Sequence, residues 1–286
     1  MAVIDQERKT YLSITTVIGC PVMCLKYCPQ ELIIRSYNGN PRMTLEQFKQ
    51  FIKDVPITTS LYFGGFSEPL VNQETIAMME YASELGYPIR LFTTMVGLKH
   101  NDIDRLCSIP FDMFVLHLQD AEGIAHIDMN QEWLENFRDV KKRIKRFRSM
   151  DMNSVDFSTN HREDVARGVE FQSRFKTKRT CVFMKDPRYE LMPNGEMYFC
   201  CECSCLSMRI GSLYENTYAE LAAKHEMLSK QFRNDPNSLC WNCCLSEPYW
   251  KYQLSNTMRN IKYNITNGKP IKETRLIKPF WDVLFT

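Results

Sequence analysis

Three cysteines fall within nine residues of this chain, Cys20, Cys24 and Cys28, directly after a β-branched, apolar run that ends in Gly19. Thiolates are ligands for soft metals, and a cubane iron–sulfur cluster takes four of them. Three on one short loop fill three iron sites and leave the fourth iron open to a small molecule. Zinc competes for such residues, but closed zinc sites usually draw their cysteines as two CxxC-type pairs from separate turns. The structural alternative is three small core residues, since free cysteine packs well in interiors.

A second set follows later. Cys181 and Cys200 flank the polar pair Asn194-Gly195, a hairpin signal between extended runs, and Cys240-Trp241-Asn242-Cys243 supplies a CxxC. Two ligands beside a hairpin and two from a later turn can converge on one closed four-thiolate site, which on chemistry alone suits zinc or iron–sulfur. Cys107 lies on a helix stripe and is expected in the core. Cys201, Cys203, Cys205 and Cys244 crowd the named ligands, so a neighbour could serve instead.

The elements that must position these groups alternate along the first half of the chain. Residues 11–19 read as a buried first strand that delivers the cysteine loop. From Thr44 the pattern is helical, with Leu45, Phe48, Phe51, Ile52 and Val55 on one stripe and Thr44 with Gln47 as a capping box. Residues 60–66 form a second strand, followed by a helix from about Asn72 that stops at Gly86 with Pro88 beyond. A third strand spans 89–96, Asn101 caps a short helix, and 113–118 make a fourth strand. A helix from Asn130 buries Trp133, Phe137, Val140, Ile144 and Phe147, and 154–158 read as a fifth strand. Such alternation argues an α/β protein with a parallel sheet and its chemistry at the C-terminal strand ends. After residue 170 the alternation stops, so a boundary is expected there, giving domains 1–170 and 171–286. Residues 217–232 form a further amphipathic helix, and the aromatic tail, with Phe280, Trp281 and Phe285, is expected to pack rather than hang free.

Polar groups gather at the expected strand ends. Phe63-Gly64-Gly65-Phe66-Ser67-Glu68-Pro69-Leu70 follows the second strand, where glycines permit close backbone approach and a carboxylate could take an ammonium group. Thr94 ends the third strand, His117 and Gln119 the fourth, and Asn160 and Arg162 follow the fifth as candidate carboxylate or ribose contacts. Each could equally be a satisfied strand-end group.

Composition sets the outer bounds. The 286 residues are 44% hydrophobic and 24% charged with net charge +2, ordinary for a globular chain, and imply no nucleic-acid or membrane partner. Basic residues 141–148 read as a solvated helix face. The start lacks the apolar core of an export signal, and twelve cysteines then argue for metal or redox chemistry in the cytoplasm, where disulfides are rare.

The first cysteine stretch resembles the cluster loop of the radical S-adenosylmethionine (SAM) superfamily, usually CxxxCxxC with an aromatic residue before the last cysteine. Tyr27 keeps that aromatic, while Leu25, Lys26 and Tyr27 separate the last two cysteines where the family normally has two residues. The resemblance covers residues 11 to about 165 and implies a partial (β/α)6-type barrel. It also implies a SAM-cleaving [4Fe–4S] cluster on Cys20, Cys24 and Cys28. The 63–70 segment is similar to the family's glycine-rich motif ending in Glu-Pro, so Gly64, Gly65 and Phe66 are expected to offer backbone contacts to SAM with Glu68 nearby. Ser67 stands where many relatives have glycine. Residues 93–97 are similar to the family's Thr-Thr-Asn-Gly run, and relatives place groups that reach the sugar or substrate where His117 and Gln119 stand.

Cys181, the hairpin glycine, Cys200, the 210–213 turn, the following helix and the CxxC look like a Twitch domain, the shortened SPASM domain of some radical SAM enzymes. By that resemblance Cys181, Cys200, Cys240 and Cys243 hold one auxiliary [4Fe–4S] cluster in a small cysteine-rich hairpin and helix domain. The implied activity is reductive cleavage of SAM to a 5′-deoxyadenosyl radical that takes hydrogen from a small hydroxylated, sugar-like substrate. The auxiliary cluster accepts or relays an electron, and an external donor such as a flavodoxin or ferredoxin supplies the first. A peptide maturase is the alternative within the superfamily, and a non-catalytic zinc-stabilised binding protein the alternative outside it.

Overall fold

The computed structural model describes residues 10–22, 30–118, 127–151, 177–184, 186–202, 206–243, 245–252 and 254. Chain contacts divide into two compact units, one of 1–169 with 185–227 and one of 170–184 with 228–286.

In the first unit the expected alternation is present: β1 (Tyr11–Ile14), α1 (Gln30–Ser36), α2 (Leu45–Ile52), β2 (Ser60–Phe63), α3 (Thr75–Glu84), β3 (Ile89–Thr93), α4 (Ile103–Ser108), β4 (Met113–Leu118), α5 (Gln131–Arg143) and β5 (Phe147–Asp151). The start of α2 is held by the full capping box, Gln47 N–H donating to Thr44 Oγ1 at 3.2 Å and Thr44 N–H to Gln47 Oε1 at 2.9 Å. At the other end of α3, Gly86 takes φ +92° and Tyr87 N–H returns to Ala82 O at 3.1 Å, a left-handed helix stop that sends the chain into β3.

β1 to β5 are parallel neighbours in order. On the other side of β1 comes β7 (Arg188–Leu191), also parallel, followed antiparallel by β8 (Glu196–Tyr198) and β9 (Arg209–Ser212), while β6 (Arg179–Cys181) pairs elsewhere. The eight strands therefore run β5-β4-β3-β2-β1-β7-β8-β9. The hairpin turns at the expected Asn194-Gly195 pair, but it extends the first unit's sheet instead of lying wholly beyond a boundary at 170.

The two faces of this sheet differ in chemistry. Leu12, Ile14, Leu61, Phe63, Leu91, Phe114 and Leu116 point to one face and are fully buried. There α2 sets Phe48 against Phe63 at 5.7 Å and α5 sets Phe137 against Phe147 at 6.1 Å. The alternate residues make the opposite face, where register aligns Glu190, Ser13, Tyr62, Arg90 and Met113 across five strands. One face of the sheet is thus buried in aliphatic and aromatic side chains, while the other carries hydroxyl, carboxyl and guanidinium groups among its apolar residues.

Several expectations are corrected. Helix α5 ends at Arg143, and Phe147 belongs to β5, where it pairs and stacks with Phe114 at 5.5 Å. Apolar spacings of three and four ran across a helix end that Ile144 closes in extended conformation. The fifth strand is thus 147–151; residues 154–158 lie outside the described residues. The basic stretch is divided accordingly, with Lys141 to Arg143 in the last turn of α5 and Arg148 on β5. Residues 69–71 form a single 3-10 turn, so α3 starts at Thr75 and not at Asn72. Residues 210–212 belong to β9 and are no turn. Helix α1 had no expectation attached to it.

In the second unit, β6 pairs antiparallel with β10 (Ser246–Pro248), Cys181 facing Ser246. Helix α6 (Tyr218–Phe232) begins in the first unit and ends in the second, and the short α7 (Leu239–Asn242) is capped by Ser238, whose hydroxyl accepts from Trp241 N–H. The aromatic tail lies outside the described residues. Among the described residues no helix is long and apolar enough to cross a membrane.

Candidate functional site

The C-terminal edge of the parallel strands brings together Cys20, Gly64, Gly65, Phe66, Glu68 and Thr94. Cys24, Tyr27, Cys28, Gln119, Asn160 and Arg162 lie outside the described residues. One buried side chain links the cysteine loop to the glycine-rich turn: Gln30, at the start of α1, accepts from Cys20 N–H at 3.2 Å and donates to Phe66 O at 2.5 Å. The first cysteine and the turn are therefore held by a common amide, although they are 46 residues apart in sequence (66 − 20).

The turn itself is shaped from beneath. Phe66 N–H donates to Thr15 Oγ1 at 2.9 Å, and that hydroxyl donates to Glu190 Oε1 at 2.5 Å. Gly65 has φ +61°, and a side chain there would collide with Thr15 Oγ1 and the Glu190 carboxylate. Glycine is required on both counts, and its absence of side chain leaves bare, exposed backbone at this position of the turn.

Glu68 has a different role from an open ammonium receptor. Oε1 accepts from Leu70 N–H at 3.1 Å and Thr93 Oγ1 at 2.5 Å, and Oε2 from Thr94 N–H at 2.6 Å and Thr94 Oγ1 at 2.8 Å. Burial pushes its carboxyl above the usual range, and these four donors pull the other way. The carboxylate thus clamps the segment after β2 to the end of β3, with Pro69 starting the 3-10 turn it caps. Beyond the clamp Met95 adopts φ +63°, a strained position for a side chain of this size, held by Met95 N–H to Thr93 Oγ1 at 2.8 Å. Trp133 of α5 donates Nε1–H to Thr94 O at 3.0 Å and completes the fixing of this edge.

His117 lies on the polar face of β4, its ring edge toward Phe92 at 5.8 Å. Burial lowers it to about 4, so it is neutral at physiological pH, and among the described residues its Nε2 is buried without a hydrogen-bond partner. A neutral imidazole with such a ring nitrogen can donate or accept one further hydrogen bond.

Three residues of this face carried no expectation: Thr15, Arg188 and Glu190. Arg188 lies over the rings of Tyr11 and Tyr62 at 5.4 and 5.2 Å. Glu190 is fully buried, and burial pushes it up to about 7 against the Thr15 hydrogen bond. The signal was present: Arg188-Tyr189-Glu190-Leu191 places two opposite charges at alternate positions of an otherwise apolar strand.

The later cysteines are divided between the units. Cys200 follows β8, which runs antiparallel to β7, and so lies toward the Arg188 end of the sheet and not the edge that carries Cys20. Cys181, Cys240 and Cys243 are in the second unit, where burial pushes the Cys240 thiol up to about 12 and Cys181 adds to the effect. Cys107 is partly exposed, not core. Cys203, Cys205 and Cys244 lie outside the described residues, and among the described residues no three His, Cys, Asp or Glu side chains are gathered as a metal site.

The described residues fit SAM on two observations, a turn that presents bare backbone at Gly65 and buried polar atoms without partners, Ser67 Oγ, His117 Nε2 and Glu190 Oε2. Solved structures share the fold. BtrN in complex with AdoMet and 2-DOIA superposes with a TM-score of 0.59 at 13% identity, over 82% of this chain and 93% of that one. The structure of anSMEcpe with bound AdoMet and Cp18Cys peptide gives 0.53 at 13% identity, over 82% and 88%. Both are radical SAM enzymes. This chain has the radical SAM fold. No protein-family model and no curated protein sequence matches it. Within that fold the edge that carries Cys20 and the 64–68 turn is the C-terminal edge of the parallel strands, where α/β proteins place their ligands.

Proposed function

We propose that the protein is a radical SAM enzyme in which Cys20, Cys24 and Cys28 hold the SAM-cleaving [4Fe–4S] cluster. The observation that carries this reading is the Gln30 bridge, which fixes the first cysteine of the loop to the Gly64–Phe66 turn. When bound, the cluster and SAM supply one-electron cleavage to a 5′-deoxyadenosyl radical that abstracts hydrogen from substrate. The chain's own residues bind and orient. Gly65 leaves the backbone approachable, Glu68 fixes the β2 and β3 ends relative to each other, and His117 offers a neutral ring nitrogen. Tyr27, Gln119, Asn160 and Arg162 belong to the proposal as further SAM contacts.

A small hydroxylated substrate is favoured by the polar face, whose Ser13, Tyr62 and His117 can exchange hydrogen bonds with hydroxyls. BtrN, whose complex contains 2-DOIA, is consistent with it. The likeness to anSMEcpe with a peptide keeps a peptide substrate as the second reading. An auxiliary [4Fe–4S] cluster is proposed on Cys181, Cys240 and Cys243, with Cys200 as the fourth ligand of the sequence reading. Burial and then Cys181 raise the cost of ionising Cys240, and a bound cation relieves that cost. The electron donor is proposed to be a flavodoxin or ferredoxin, and the compartment the cytoplasm.

Anaerobic reconstitution tests the reading. The expected protein is brown, holds about eight iron atoms for two [4Fe–4S] clusters, and forms 5′-deoxyadenosine from SAM with a reductant. A fully iron-loaded protein that forms none is not this enzyme, and a colourless protein with zinc is the binding protein instead.

A further inference from the structure

Glu190 is the one carboxylate of the polar face that touches the glycine-rich turn from below. Its Oε1 accepts from Thr15, and Thr15 in turn accepts from Phe66 N–H. The same carboxylate fills the space where a Gly65 side chain would stand. Its other oxygen, Oε2, is buried and closes no hydrogen bond of normal geometry among the described residues, although the Ser13 hydroxyl faces the carboxyl and favours its anion. Leaving an ionised oxygen buried and unpaired is costly, so the arrangement as it stands is incomplete.

Resting on the radical SAM reading, we propose that Glu190 is a positioning residue and the counter-charge beneath the SAM turn, selecting the sulfonium SAM over its neutral thioether S-adenosylhomocysteine. SAM carries a sulfonium that the neutral thioether of S-adenosylhomocysteine lacks, one positive charge more, while the amino-acid end is common to both and must shed its ammonium proton to ligate an open iron. A buried anion close to the turn attracts the first and is indifferent to the second, and low local dielectric makes the difference large.

The groups that face Glu190 are Arg188 on its own strand, Tyr62 on β2, the Ser13 and Thr15 hydroxyls on β1, and Glu202 after β8. Arg188 stays charged at all relevant pH and favours the anion; Glu202 and burial oppose it. With its carboxyl pushed up to about 7, Glu190 is largely neutral at pH 6 and largely anionic at pH 8. A cation bound above it favours the anion, so SAM binding displaces a proton.

Equilibrium dialysis and calorimetry with the reconstituted holoprotein test this without any substrate. Between pH 6 and pH 8 SAM affinity is expected to rise about tenfold more in the wild-type protein than in Glu190→Gln, which keeps an acceptor for Thr15 and leaves the ligand's own amino group to titrate as before, while S-adenosylhomocysteine affinity changes alike in the two proteins. In wild-type protein at pH 7, calorimetry in buffers of different ionisation heat should show about half a proton more released per SAM bound than per S-adenosylhomocysteine bound. That second measurement decides the matter if the variant fails to fold. A SAM pH dependence equal in wild type and Glu190→Gln, or equal proton release with SAM and S-adenosylhomocysteine in wild type, overturns the role of Glu190 while leaving the enzyme reading intact. Failure of the iron-loaded protein to bind SAM at any pH sinks the enzyme reading itself.

Discussion

Gly65 and Gly86 both have positive φ, yet their surroundings differ completely. A methyl group added at Gly86 meets nothing, so Gly86→Ala should cost only the backbone term, about 1 kcal/mol. At Gly65 the methyl group meets Thr15 and Glu190, so Gly65→Ala should cost about 3 kcal/mol or more by denaturant titration, or distort the turn and weaken SAM binding at least tenfold. Equal and small effects for the two variants would show that the turn is not braced from beneath. Glu190 makes a prediction in the ligand-free protein as well. Its carboxyl is raised from about 4.5 to about 7, so the stability it confers as a neutral group is present below pH 4.5 and lost as pH climbs through 7. The loss is about 3 kcal/mol. Relative to Glu190→Gln, wild-type unfolding free energy should fall by that order between pH 5 and pH 8, and parallel curves for the two proteins would contradict it.

At the scale of elements, short-range signals were legible and their ends were not. The capping box at Thr44 and the helix stop at Gly86 were readable because each is a local pattern of four to six residues whose hydrogen bonds close on themselves. Thr44→Ala should accordingly lower stability by about 1 kcal/mol and leave SAM binding unchanged, measured by thermal unfolding and dialysis on the same sample. A larger loss would mean that Thr44 bears on more than α2. The end of α5 was misread for the converse reason. Trp133, Phe137, Val140, Ile144 and Phe147 satisfy helical spacing throughout, and only the pairing of Phe147 with Phe114 in the finished sheet decides that the last belongs to β5. Periodicity cannot see a partner strand thirty residues away. The Glu68 clamp was half legible in the same sense: the motif located the carboxylate at a strand end, but its four donors come from Leu70, Thr93 and Thr94, and the latter two become neighbours only when β2 and β3 pair.

Across the whole molecule, the largest gap between sequence and structure is the addition of β7 to the free side of β1. Strand pairing between residues 11–14 and 188–191 leaves no periodic trace, because register is fixed by which faces are buried and not by any local signal. Its consequence is functional: it brings Glu190 under a turn that belongs to residues 64–66 and carries Cys200 toward the opposite end of the sheet from Cys20. If the chain holds the two proposed clusters, it should therefore lose them separately. Replacing Cys240 and Cys243 together by serine is expected to reduce iron from about eight to about four atoms per chain. Substrate-independent formation of 5′-deoxyadenosine should continue, since the loop with Cys20 is untouched. The triple variant Cys20→Ser, Cys24→Ser, Cys28→Ser should also keep about four iron atoms, yet form no 5′-deoxyadenosine. If the Cys240 and Cys243 pair can be removed with all eight atoms retained, those thiols are not ligands. If either variant loses every iron atom while still folded by circular dichroism, the chain holds one shared metal site and the separation of cleavage from electron acceptance is wrong.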